Sequence, residues 1–160
     1  MTLLQMTLPE TRAEIEKRIP HAGAMCLLEK VIHYDAAVIR CETTTHQDLD
    51  NPLRNANGLP VSAALEYAAQ AAAVHGNLLQ AGSEVPRGGY LAVLTHVQWQ
   101  PWLYKNGLHT IAAPLCVDVR RDIETAGGID CTFSIFANTG AADKDVIVSG
   151  SMVVAFIGVD

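Results

Sequence analysis

Apolar and polar positions along this chain follow two different periods. From Pro60 to Gln80 the residues are small and apolar over several helical turns (VSAALEYAAQAAAVHGNLLQ) with no internal proline, which predicts one long helix. Nearly every face of it is apolar, so it is expected to lie inside the domain, with Gly82 and Pro86 ending it. After the helix the period drops to two. Leu115, Val117 and Val119 alternate with Cys116, Asp118 and Arg120, and Val146, Val148, Gly150, Met152, Val154 and Phe156 repeat in the same way. Strands are predicted at Gly89 to Gln98, Leu108 to Asp122, Ile129 to Asn138 and Asp145 to Ile157, with turns at Asn106-Gly107, Ala126-Gly127-Gly128 and Thr139-Gly140. Pro114 is expected at a bulge or an edge position, because it cannot donate to a sheet ladder.

Ahead of the helix, Thr11-x-x-Glu14 fits a capping box, and Ile15 and Ile19 fall on one face before Pro20, so Thr11 to Ile19 reads as a short helix. Met25 to Tyr34 and Ala37 to Thr45 are rich in β-branched and apolar residues and meet at Asp35-Ala36, which predicts a hairpin. His46 to Leu59 is polar and reads as a long loop. This order does not fit alternating βαβ units. It predicts a single α+β domain over residues 1–160, a long antiparallel sheet wrapped round one central alanine-rich helix.

Composition removes several functions. A chain of 160 residues with 49% hydrophobic and 18% charged residues can bury a core without a disulfide or metal to hold it. Cys26, Cys41, Cys116 and Cys131 never form a Cys-x-x-Cys pair and sit among apolar neighbours, so they are expected to be buried free thiols. No stretch reaches the ~18 uninterrupted apolar residues of a membrane helix. Met1 to Gln5 has neither a basic nor an apolar leader region, so a cytoplasmic protein is expected. The net charge of −6, with no Lys/Arg cluster beyond short pairs such as Arg120-Arg121, argues against a nucleic-acid partner. Gly-x-Ser-x-Gly, Walker, Gly-x-Gly-x-x-Gly and His-Glu-x-x-His motifs are all absent, so neither cofactor nor metal is expected.

The polar residues of the alanine helix carry the candidate chemistry. Glu66 and Gln70 are four apart and share a face. With uncharged neighbours on both sides, a carboxylate at Glu66 would be desolvated and suit a general acid; alternatively it emerges into solvent and favours the helix dipole. His75 faces roughly the opposite way and reads as a hydrogen-bonded core or interface residue. His33 and His109 are expected to face solvent, and His21, His46 and His96 remain unassigned.

Two segments resemble a known family. Pro60 followed by Glu66-Tyr67-Ala68-Ala69-Gln70 resembles the Pro-Gly-…-Glu-x-x-Ala-Gln helix of the hot-dog 3-hydroxyacyl-[acyl carrier protein] dehydratases, the FabA/FabZ group. Ile19-Pro20-His21, continuing to Leu27-Leu28-Glu29-Lys30-Val31, is similar to that group's opening Ile-Pro-His-…-Leu-Leu-x-Asp-Arg-Val. Asn51-Pro52-Leu53-Arg54, Gly58-Leu59-Pro60 and Ala73-Val74-His75-Gly76 look like the ApeP-like branch of dehydratases associated with aryl polyene gene clusters. The resemblance implies a hot-dog fold, a homo- or heterodimer, and an acyl chain presented on the phosphopantetheine of an acyl carrier protein.

One departure stands out. The catalytic histidine of the FabA/FabZ pattern would fall at Pro52, and Asn51 to Gly58 holds no histidine; Val61 stands where glycine follows the motif proline. Glu66 carries over as the helix acid, with Gln70 orienting it and amides around Val61 and Ser62 to hold the thioester carbonyl. Three ways to complete the chemistry stay open: His46 folds back as the base, a partner subunit supplies a histidine, or the reaction is thioester hydrolysis. A non-catalytic acyl-binding role beside a catalytic subunit is a further alternative. Arg54, Arg87 and Lys105 are candidates to meet an acidic carrier protein.

Overall fold

A computed structural model of the chain describes residue 8 and residues 11–80, 88–142 and 144–157. Gly82, Pro86 and Arg87 lie outside the described residues. The elements in order are α1 (Arg12–Glu16), β1 (Lys30–Tyr34), β2 (Val38–Thr43), α2 (Ala63–Leu79), β3 (Gly89–Trp99), α3 (Pro101–Asn106), β4 (Leu115–Glu124), β5 (Gly128–Ala137) and β6 (Val146–Phe156). Single 3-10 turns occupy Gly23–Met25, Thr45–Gln47 and Leu108–Thr110.

The six strands form one antiparallel sheet in the order β1-β2-β4-β5-β6-β3. Asp35 turns the β1–β2 hairpin, its Oδ1 accepting the amides of Ala37 (2.8 Å) and Val38 (2.9 Å). Arg40 and Asp118 sit opposite each other in the β2–β4 register and are joined by two hydrogen bonds of 2.7 and 2.6 Å. That fork is the planar match of guanidinium to carboxylate.

The helix α2 packs its small side chains against β2, β4 and β5, burying Ala64, Ala68, Ala71, Val74 and Leu78 over Cys41, Val117, Phe133 and Ile135. Alanine allows the helix backbone to come close to the sheet, and the long strands supply the bulk. One side of α2 is not covered: Glu66, Ala69, Ala73, Gly76 and Asn77 face a cleft. The helix is therefore central but not enclosed, and β3, at the sheet edge beyond β6, lies outside its cover.

Several boundaries differ from expectation. Thr11 caps α1 by accepting the Glu14 amide at 3.3 Å, but the helix ends at Glu16. Met25 to Glu29 is not strand: the Met25 carbonyl and the Leu27 amide bond to the Gln70 side chain and the Leu27 carbonyl to Thr43 Oγ1, and only the Glu29 amide reaches β2 backbone, at the Glu42 carbonyl. Leu108 does not open a strand. Pro101 starts α3 and Gly107, at φ +83°, ends it, so β4 begins only at Leu115, just after Pro114. Proline at the first helical position and glycine just past the last are the usual asymmetry of a helix.

All four cysteines are buried and free, and burial pushes each thiol above its ordinary pKa, which removes them as nucleophiles. No described helix is long and apolar enough to cross a membrane. Among the described residues no cluster of three or more His, Cys, Asp or Glu could hold a metal.

Candidate active site

The site is built on the first turns of α2. Glu66 lies where two clefts meet. The larger, about 560 Å³, runs along α2 past Ala69, Ala73 and Gly76 between the helix and Tyr90, Leu91, Val154 and Phe156. The smaller, about 270 Å³, is bounded by Leu53, Pro60, Ser62 and Leu65. Leu91 borders both. The Glu66 side chain is 33% exposed, so it sits at a cleft mouth and not in the dry helix interior that its neighbours suggested.

Oε1 of Glu66 is held twice. Gln70 Nε2 donates to it at 3.2 Å, and His21 Nε2 stands 3.0 Å from it. Since a carboxylate only accepts, Nε2 of His21 carries the proton in that contact. Its Nδ1 is buried with no partner among the described residues. Oε2 is thereby left as the oxygen free to exchange a proton.

Gln70 is fully buried, and both of its side-chain polar atoms are bonded. Its Oε1 accepts the Leu27 amide at 2.9 Å, and its Nε2 also donates to the Met25 carbonyl at 2.7 Å. These bonds fasten the 21–27 segment to α2 and so bring His21 onto Glu66. The Leu27 carbonyl continues the network, accepting Thr43 Oγ1 and Thr45 Oγ1, each at 2.6 Å. Thr45 Oγ1 meets the Tyr67 hydroxyl at 2.8 Å, and Asn51 Nδ2 donates to that hydroxyl at 3.1 Å. Tyr67 is wholly buried, which pushes its phenol up to about 12. From Gln70 to Tyr67 and Asn51 each side chain of the network has a partner, the condition under which buried polar groups fix a geometry instead of destabilising it.

Val61 and Ser62 form the approach to α2. The first turn closes through Ala63 N–H to Pro60 C=O (3.0 Å) and Ala64 N–H to Val61 C=O (3.0 Å). The amides of Val61 and Ser62 precede these bonds and are the donors that a helix leaves without an intrahelical partner. Ser62 and Glu66 line the smaller cleft together.

His46 has a different place. It is fully buried in the Thr45–Gln47 turn, Nε2 donates to the Ile111 carbonyl at 2.9 Å, and it lines neither cleft beside Glu66. Burial holds its pKa below the ordinary histidine value. A side chain without exposed surface cannot reach a substrate proton, so His46 serves the structure of the loop and not the site. His75 is buried as expected, Nε2 donating to the Asp35 carbonyl at 2.7 Å. His109 does not simply face solvent, because its Nδ1 accepts the Leu59 amide at 3.0 Å. His96 is exposed on β3 at a bulge, with φ +52°. Arg54 is half-buried and Lys105 exposed.

His21 is the residue that sequence spacing did not assign. The signal lay in the Ile-Pro-His segment itself, but nothing local says that it folds back onto the helix acid.

A six-stranded antiparallel sheet packed against one long helix, with the acid near the helix start, defines an α+β hot-dog protein. The family model of the ApeP-like proteins, described as ApeP dehydratase, matches residues 13–154, and the chain belongs to that family. Among solved structures, the dehydratase heterocomplex ApeI:P from Xenorhabdus doucetiae is 23% identical over 89% of this chain and 90% of that one, with a TM-score of 0.74. A thioesterase-like protein from Silicibacter sp., described as putative, matches at 8% identity over 98% of each chain (TM-score 0.59). Zebrafish thioesterase superfamily member 2 matches at 10% identity over 92% of this chain and 95% of that one (TM-score 0.57). At these identities the likenesses establish the shared fold. No curated protein compared with the chain matches it.

Proposed function

We propose that this chain is the Glu66-bearing subunit of a 3-hydroxyacyl thioester dehydratase, acting on an acyl group carried by the phosphopantetheine of an acyl carrier protein. The observation that carries the reading is the Glu66 carboxylate, held on one oxygen by His21 and Gln70 at the mouth of an apolar cleft. Membership of a dehydratase family supports it.

Elimination of water needs a base for the C2 proton and an acid for the departing C3 hydroxyl. Glu66, protonated at Oε2, gives its proton to the hydroxyl oxygen as the C3–O bond breaks and water leaves. The amides of Val61 and Ser62, at the positive end of α2, take the negative charge that grows on the thioester oxygen. The C2 proton goes to the base and returns to Glu66 before the next turnover.

Among the described residues no histidine is free to serve as the base beside Glu66. His46 is buried, and His21 commits Nε2 to Glu66 while its Nδ1 has no exposed surface. The base is a histidine of a second hot-dog subunit. The 11-residue strand β3 is the edge on which it docks, because one side of its backbone pairs with none of the described strands and Leu91 and Leu94 on it border the clefts at Glu66. A homodimer would lack the loop histidine on both sides, so the partner is a different chain. The relative solved as a heterocomplex supports this choice.

Lys17, Arg18 and Arg121 line the larger cleft of a protein with net charge −6, and they suit the phosphate of the carrier arm. Arg54 and Lys105 are further contacts for an acidic carrier. The reaction belongs to cytoplasmic fatty acid, aryl polyene or related lipid synthesis.

The test is incubation of the purified chain with a crotonyl-type thioester, alone and with a histidine-bearing hot-dog subunit. Hydration only with the partner is the expected result. Free thiol release identifies a thioesterase, and silence with every partner leaves a non-catalytic acyl-binding role.

A further inference from the structure

His109 is far in sequence from Glu66 and lines neither cleft beside it, yet it fixes the backbone that leads into α2. Leu59 is held at both its backbone N–H and its C=O by one short segment. Its N–H donates to His109 Nδ1 at 3.0 Å, and its C=O accepts the Leu108 amide at 2.8 Å. Both glycines beside this contact are needed to let the ring in. A Cβ on Gly58, at φ +109°, would fall 2.1 Å from His109 Cε1, and one on Gly107, at φ +83°, would fall 2.6 Å from the Leu59 carbonyl oxygen and 2.8 Å from His109 Nδ1. Such approaches are possible only to a residue without a side chain.

The holding segment is itself anchored. Thr110 Oγ1 donates to the Gly107 carbonyl at 2.7 Å, and the Ile111 carbonyl accepts both His46 Nε2 (2.9 Å) and Gln47 Nε2 (2.8 Å). Gly58 is closed on the other side by paired backbone bonds with Asn55, at 2.9 and 3.1 Å. The first free residue after Leu59 is Pro60, whose ring fixes φ and whose carbonyl takes the opening bond of the helix turn. Little freedom therefore remains between the imidazole and the amides of Val61 and Ser62.

We propose that His109 is a positioning residue: by accepting the Leu59 amide it sets the Val61 and Ser62 N–H groups against the thioester oxygen. This rests on the dehydratase reading given above. Donors act in catalysis only when they are already aimed at the developing charge, and a displacement of about 1 Å can lower the rate about 100-fold. Histidine is suited to the task because its neutral ring presents a flat acceptor that packs flush on two glycine backbones, with Nε2 carrying the proton.

The test compares His109→Phe and His109→Asn in the reconstituted two-subunit dehydratase. Phe keeps a flat ring without the acceptor, and Asn keeps an acceptor. The expected result is a kcat lowered about 100-fold in His109→Phe with KM within about twofold, and recovery of most of the loss in His109→Asn. A merely structural role would lower the melting temperature without this split. Unchanged kcat in His109→Phe, or an Asn variant as slow as the Phe one, overturns the proposal. A second measurement needs neither variant nor turnover: nitrogen NMR of the wild-type chain should show His109 protonated at Nε2 with Nδ1 accepting a hydrogen bond, and a ring protonated at Nδ1 overturns the clamp. Absence of turnover in the wild type would count against the dehydratase reading, and the NMR result would then decide the clamp by itself.

Discussion

Glu66 and His21 meet at 3.0 Å, Nε2 to Oε1, at the mouth of the cleft along α2. Both are about one-third exposed, so the contact is open to substrate and screened in part by water. Its value is positional: with Gln70 on the same oxygen, it leaves Oε2 as the oxygen that would transfer the proton in the proposed reaction. His21→Phe removes one of the two donors and keeps the bulk. The expected outcome is a kcat lowered about tenfold at unchanged melting temperature, measured in the two-subunit assay.

Gln70→Leu acts mainly on stability. It leaves the Leu27 N–H and the Met25 C=O without their partner, and the Leu27 amide has no exposed alternative. A loss of about 2–4 kcal/mol is expected, seen as a fall of roughly 5–10 °C in the melting temperature. Activity should fall as well, since the 21–27 segment is released from α2.

How much of this was legible in the chain depends on distance along it. The alanine run from Ala63 to Leu79 declared its helix, because small apolar residues without proline fit little else. The period-two strands β4 and β6 were legible for the same reason. The helix α3 was not, because PWLYKN is one and a half turns of aromatic and apolar residues that also suit a strand. Glu66 and Gln70 were legible as an i, i+4 pair. His21 was not, since its contact with Glu66 depends on Gln70 gripping the backbone of Met25 and Leu27. His46 misled because its loop is polar in sequence, whereas the Thr45–Gln47 turn folds the ring inward.

Stability should fall on acidification. Burial holds the pKa of His46 and His75 below the ordinary value of 6.5 in the folded chain. Above pH 6.5 both rings are neutral in folded and unfolded forms alike, so they add no pH dependence. Below it the unfolded chain binds protons that the folded chain refuses, and each histidine removes up to about 1.4 kcal/mol per pH unit until the folded ring also titrates. Urea unfolding between pH 8 and pH 5 checks this, and His75→Gln, which keeps a donor for Asp35 C=O, should flatten the slope.

Association depends on the open edge. Val93 on β3 is 47% exposed, and one side of the strand's backbone faces none of the described strands. Val93→Lys places a charge where a partner strand would pair. Mixed with the histidine-bearing hot-dog subunit, the variant should sediment unpaired at concentrations where the wild-type chain forms the complex, with the fold unchanged by circular dichroism.

The most direct measurement is the dehydration rate of Glu66→Gln in the two-subunit complex. The substitution keeps size and keeps an oxygen for His21 and Gln70, and removes only the transferable proton. A rate lowered about 10²–10⁴-fold, with association and melting temperature unchanged, is the result expected of the acid. A Glu66→Gln complex that dehydrates as fast as the wild type would contradict the assignment of Glu66.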